Sequence, residues 1–306
     1  MKTSNNLLVS SILKLLLLMG FSLSLQAADM DNQFSGIKKI TIKTISGDLT
    51  LRPSTSGDVE VHVTSSYDES SMEMTMDQDG DELELEEDSI GYGSSSGNSH
   101  WTVGVPDGME IDVRYSSASG GVVARDLSIN LRANTASGDI ELENFNGTVD
   151  GNTASGDIKL ENVTGTTELN TASGDIDASN IKGSLSLNTA SGDVDIKSAT
   201  LNDKSEFNSA SGDVEVSLTA SPADDLEISS ASGDVELNLD GNSLQGFVTM
   251  STKNEWNNHI KAPFEFDDEK TYQRHGQEYI EKTATIGDPQ VKITLKTSSG
   301  NATIND

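Results

Sequence analysis

Six aspartates close almost the same phrase, Thr-Ala-Ser-Gly-Asp or a near variant: Asp139, Asp157, Asp175, Asp193, Asp213 and Asp234. The first four lie 18 residues apart, and the last two follow at 20 and 21. If the turns that carry them stack, neighbouring carboxylates stand ~4.8 Å apart. Their repulsion is then roughly 1 kcal/mol in water and about 3 kcal/mol at an effective dielectric of 20. Two kinds of chemistry relieve it. Turn N–H groups can donate to each carboxylate, or a cation can bridge the row, and all-oxygen ligation suits Ca²⁺. Ca²⁺ is the one cofactor this pattern admits, although the Gly-Gly-x-Gly-x-Asp repeat of calcium-binding stacked turns is absent. A second row falls at Asn134, Asn152, Asn170, Asn188 and Asn208, and a shorter one at Asn144, Asn162 and Asn180. Stacked asparagines hydrogen-bond along a stack and read as structure.

Catalytic chemistry has little to work with. The four histidines, His62, His100, His259 and His275, sit in no recognisable motif. His259 and His275 share the 244–280 segment with Trp256, Asp267, Asp268, Tyr272 and Arg274, where a shallow glycan-active site is conceivable. No phosphate-binding glycine loop, nucleophile motif or metal-ligand cluster is present. The expectation is a protein that is not an enzyme.

The elements that must position these residues follow from the period. Fixed spacing near 18 residues marks a stacked architecture in which each unit buries its apolar side only against its neighbours. Within one unit, Ile158-Lys159-Leu160 reads as a strand, Asn162–Gly165 as a turn and Thr166–Asn170 as a second strand. Aligned units place Ile140, Ile158, Ile176, Val194, Val214 and Val235 in one column. Leu142, Leu160, Ala178, Ile196, Val216 and Leu237 form another. Such alternation predicts the inward positions of an all-β, single-stack parallel β-solenoid with coils of about 18 residues. A degenerate copy at Ser117–Gly121 and an altered one at Thr297–Asn301 extend it.

Residues 1–27 read as an export signal, with Lys2 and Lys14 flanking and interrupting an apolar stretch that ends at Leu25-Gln26-Ala27. Residues 34–115 form a strand block leading into the solenoid, with a hairpin joining Met72–Met76 to Leu83–Glu87. Residues 116–243 hold the repeat, and 244–306 an insertion and closing coil. The charge is −30, and −32 once the signal is removed. That excludes nucleic acid, whose phosphates are held by Lys and Arg, and direct membrane insertion of the exported chain is not expected. The partner expected is a protein or polysaccharide surface. With no cysteine, the fold relies on the stack and not on disulfides. The expected location is the bacterial periplasm or cell surface.

Ser56-Gly57-Asp58-Val59-Glu60-Val61, Val103-Gly104-Val105-Pro106, the serial Ala-Ser-Gly-Asp and Thr285-Ile286-Gly287 together resemble a bacterial family known as "putative adhesin". The resemblance also reaches the toast-rack and head-GIN β-solenoid domains of envelope proteins. It implies a repeat solenoid with an adhesin-like binding or scaffold role, and it brings no catalytic residues. A periplasmic structural or envelope-stress role is the alternative. The chain departs from the pattern at Gly121 and Asn301, where an acid is expected, and in the length of its 244–280 insertion.

Overall fold

The computed structural model describes residues 28–68, 70–90 and 97–306. The export signal expected over 1–27 lies outside the described residues, as does most of the Gly/Ser loop after Ile90. Every regular element among the described residues is a strand. The strands form one hydrogen-bonded network folded into two facing sheets, with the aliphatic columns between them.

The first face begins with three strands in antiparallel array: Ala28–Phe34, Val59–Ser65 and Ser99–Val105. It continues in parallel through Asp48–Pro53 and Val122–Arg125 to the start of three long strands, Ile140–Thr153, Ile158–Thr171 and Ile176–Thr189. Val194–Leu201, Val214–Leu218, Val235–Asn238, Ala302–Asn305 and Ile260–Lys261 complete it. The second face opens with the antiparallel hairpin Met72–Asp79 and Glu82–Ser89. Lys39–Thr44, Asp112–Ser117 and Ser128–Thr135 follow in parallel, then the second halves of the long strands. Ser205–Ser209, Leu226–Ser230, Lys292–Thr297 and Gly246–Lys253 extend it. The antiparallel strands Gln277–Ile286 and Asp268–Arg274 close that end.

The expected columns are the observed registers. Ile140, Ile158, Ile176, Val194, Val214 and Val235 pair in sequence, and all are buried. Each fully buried Ile or Leu contributes on the order of 2 kcal/mol relative to exposure, so every coil adds a similar increment. The four largest fully buried side chains are aromatic, Trp101, Tyr115, Phe145 and Phe207, and the rest of the core is almost wholly aliphatic. Burial pushes the Tyr115 hydroxyl up to about 12, and that hydroxyl donates to the Gly47 carbonyl at 2.7 Å.

Two details differ from the sequence reading. The turn expected at Asn162–Gly165 is a bend inside one unbroken strand, Ile158–Thr171. Asn144, Asn162 and Asn180 adopt left-handed φ of 51°, 54° and 56°, and Gly147, Gly165 and Gly183 take φ of 142°, 129° and 138°. Asparagine tolerates the left-handed well, so the chain changes face there, and the interstrand pairing resumes directly after the bend. The segment 34–115 does more than lead into the repeat, since its strands are the first rungs of both faces.

Candidate functional site

The repeated phrase builds one turn, stacked nine times. Thr153 shows the logic. Its buried hydroxyl accepts the Gly156 N–H at 3.0 Å and donates to the Gly138 carbonyl of the preceding coil, also at 3.0 Å. Thr135, Thr171 and Thr189 repeat this pair of bonds, and Ser209 and Ser230 do so with the shorter side chain. Glycine follows because the coils approach too closely for a side chain. A Cβ on Gly156 would lie 2.0 Å from the carbonyl oxygen of Gly138, and one on Gly174 would lie 1.9 Å from that of Gly156.

The six aspartates fall in one exposed row, as their spacing requires. Each Oδ1 accepts the backbone N–H of the next aspartate: Asp139 from Asp157 at 2.8 Å, Asp157 from Asp175 at 3.0 Å and Asp175 from Asp193 at 2.9 Å. Asp193 and Asp213 continue at 2.8 and 2.7 Å, and Asp234 accepts from Asn301 at 2.7 Å. A hydrogen bond to an ionised acceptor is roughly twice as strong as a neutral one, so the backbone offsets much of the repulsion along the row.

The row has one more acid than the spacing revealed. Asp48 Oδ1 accepts the Gly121 N–H at 2.9 Å from 73 positions away. The signal was legible, since Thr44-Ile45-Ser46-Gly47-Asp48 spells the phrase. The intervening strands Val59–Ser65, Met72–Asp79, Glu82–Ser89 and Ser99–Val105 take it out of the 18-residue register.

The asparagine rows are amide ladders. Asn152 donates to Asn134 at 3.0 Å, Asn170 to Asn152 at 3.1 Å, Asn188 to Asn170 at 3.0 Å and Asn208 to Asn188 at 2.8 Å. The shorter row runs from Asp126 through Asn144 and Asn162 to Asn180 at 2.8, 2.9 and 3.1 Å.

Beside the aspartate row, the outer surface of the first face carries a second acidic column. Asp177, Asp195, Glu215 and Glu236 occupy successive rungs. Lys197 pairs with Asp195 at 2.5 Å. Partial burial of the Glu215 carboxyl, together with Glu236 and Asp195 on the adjoining rungs, holds it above the usual carboxylate range. The chemistry such a surface can do is collective: the same acidic group is offered again every ~4.8 Å.

The residues of the possible C-terminal site are not gathered into one constellation. Asp267 sits at the base of the hairpin formed by Asp268–Arg274 and Gln277–Ile286, where its Oδ2 accepts the Thr285 N–H at 2.7 Å. His275 lies in the turn at the tip with φ of 50°, roughly 25 Å along the strand. Tyr272 stacks on Tyr279 with ring centroids 5.6 Å apart. Trp256 is 94% exposed, and His259 donates its backbone N–H to Asn301 Oδ1 at 3.0 Å. A hollow of 710 Å³ lies elsewhere, lined by Ala220–Asp224, Asn242, Ser243, Gln245, Asp288, Gln290 and Val291, without a histidine or basic group.

The family model described as Toastrack DUF4097 matches residues 37–263. No curated protein matches the chain. Among solved structures, a "putative adhesin" from Bacteroides fragilis is 13% identical, covering 92% of this chain and 98% of its own, with a TM-score of 0.37. A "putative lipid binding protein" from Parabacteroides distasonis is 14% identical over 92% of this chain and 97% of its own, with a TM-score of 0.40. A "putative cell adhesion protein" from Clostridium sporogenes is 12% identical over 92% and 98%, with a TM-score of 0.28.

Proposed function

The chain belongs to the Toastrack DUF4097 family, and from that premise we propose an exported binding or scaffold protein of the bacterial envelope, adhesin-like in its mode of contact. The partner is a polymer or a protein surface that meets the acidic columns over many weak, equivalent contacts. The observation that carries this reading is the run Asp177, Asp195, Glu215 and Glu236 on successive rungs. Linked weak contacts of one kind multiply into avidity where spacing matches. A strongly acidic surface also favours basic or neutral partners over anionic ones.

In this reading the aspartate row of the turns is structural. Backbone N–H groups occupy one oxygen of each carboxylate, and Ca²⁺ bridging the other oxygens is the competing use. Melting the protein with EDTA and then with added Ca²⁺ separates the two. The expected result is one melting temperature in both conditions; a fall with EDTA that Ca²⁺ restores would assign the row to the cation.

The test of the proposal itself is protease treatment of intact cells. Cleavage of this protein, with a periplasmic control left whole, supports a surface adhesin. Protection overturns the surface role and leaves a scaffold working inside the envelope.

A further inference from the structure

A second group of side chains, outside the repeat, has the makings of a different site. Asp29 and Asp31 alternate on the edge strand Ala28–Phe34, so both face the same side. The antiparallel register sets His62 directly opposite Asp31. His62 Nδ1 lies 2.8 Å from Asp31 Oδ1 and 3.4 Å from Asp29 Oδ1. Among the described residues this is the one group of three or more such side chains whose ligand atoms all lie within 4.8 Å of one another.

We propose that Asp29, Asp31 and His62 form a divalent-metal site of the zinc type, with its fourth position open. A single ring nitrogen faces two carboxylates here, and it can carry only one proton. A proton directed at Asp31 leaves the Asp29 carboxylate without one, whereas a metal ion can take one oxygen from each carboxylate together with the ring nitrogen.

The distances suit such an ion. Zinc bonds to nitrogen and oxygen of about 2.0–2.2 Å in a tetrahedron imply ligand-to-ligand edges of roughly 3.4 Å. The His62–Asp29 separation already has that value. Asp31, an exposed side chain on an edge strand, has to withdraw by roughly half an ångström. One imidazole with two carboxylates suits zinc and its transition-metal neighbours, whereas Ca²⁺ takes six to eight oxygens.

The backbone fixes the arrangement from both sides. His62 is centred between the edge strand and Ser99–Val105, where it pairs with Thr102. A hollow of 520 Å³, lined in part by Asp31, Arg52, Glu60 and His62, opens beside the site. It gives a water or a partner's ligand a route to the fourth position.

The test is calorimetric titration of the purified chain with Zn²⁺ alone, beside the variants His62→Ala, Asp31→Asn and Asp175→Asn. Removing even an outer partner of a metal ligand costs about 10–100-fold in affinity. One equivalent of Zn²⁺ should therefore bind and weaken at least tenfold in His62→Ala and in Asp31→Asn. Asp175→Asn should bind as the parent does, and all four should keep a cooperative metal-free melt. Absence of saturable binding by the parent would overturn the proposal. So would binding unchanged in His62→Ala, or Ca²⁺ binding as tightly as Zn²⁺ at the same residues.

Discussion

The hydroxyl of Thr171 serves two backbone groups, the Gly174 N–H and the Gly156 carbonyl, each at 3.0 Å and buried. Replacing it by valine keeps the shape and strands both, and each unpaired buried group costs about 1–3 kcal/mol. Thr171→Val should therefore lower urea stability by at least about 2 kcal/mol. Thr171→Ser should cost far less, because Ser209 and Ser230 already make both bonds. A larger loss for Thr171→Ser than for Thr171→Val would mean that the methyl group, and not the hydroxyl, holds the turn. Glycine is the stricter partner. Gly174→Ala would place a methyl 1.9 Å from a backbone oxygen, which no rotamer relieves, and should cost about 3 kcal/mol or more in the same unfolding assay.

At the scale of the strand, the acidic column carries a pH signature. Glu215 titrates above its usual range when folded, chiefly through partial burial and then through Glu236 and Asp195. The folded chain therefore holds that proton at a pH where the unfolded chain has lost it, and stability falls as pH rises through the carboxylate range. Glu215→Gln should raise stability slightly at neutral pH, by no more than about 0.5 kcal/mol for a largely exposed group, read as a small rise in melting temperature, and the gain should vanish once the acid is protonated. The inward columns of these strands were legible in the sequence because one strand side is apolar at strict two-residue intervals. So were the hairpin Met72–Asp79/Glu82–Ser89 and the order of the aspartate row. The first turn of that row spells the phrase too, at Thr44–Asp48, but its place in the row was hidden, because strands that pair antiparallel separate Gly47 from Gly120 and break the period. The group of Asp29, Asp31 and His62 was hidden as well, since only the pairing of Ala28–Phe34 with Val59–Ser65 brings residues 31 positions apart together.

The molecule as a whole is a stack whose coils meet mainly their neighbours, so stability accumulates nearly coil by coil. Excising residues 157–174, one full unit from Asp to Gly, joins two copies of the same turn without altering either end. The shortened chain should keep its β-sheet circular dichroism and a cooperative, somewhat lower melt; loss of the fold would show that the stack depends on a particular coil. The ends are less interchangeable. Ala28–Phe34 and Met72–Asp79 finish one end with antiparallel strands, and Asp268–Arg274 finishes the second face at the other. Strands run across the long axis and the bonds between coils run along it. A tensile load drawn from tip to tip would therefore open those bonds in succession instead of shearing them together. Each released coil of 18 residues frees roughly 60 Å of chain, so the rod would lengthen under load in near-equal steps and dissipate work at every one.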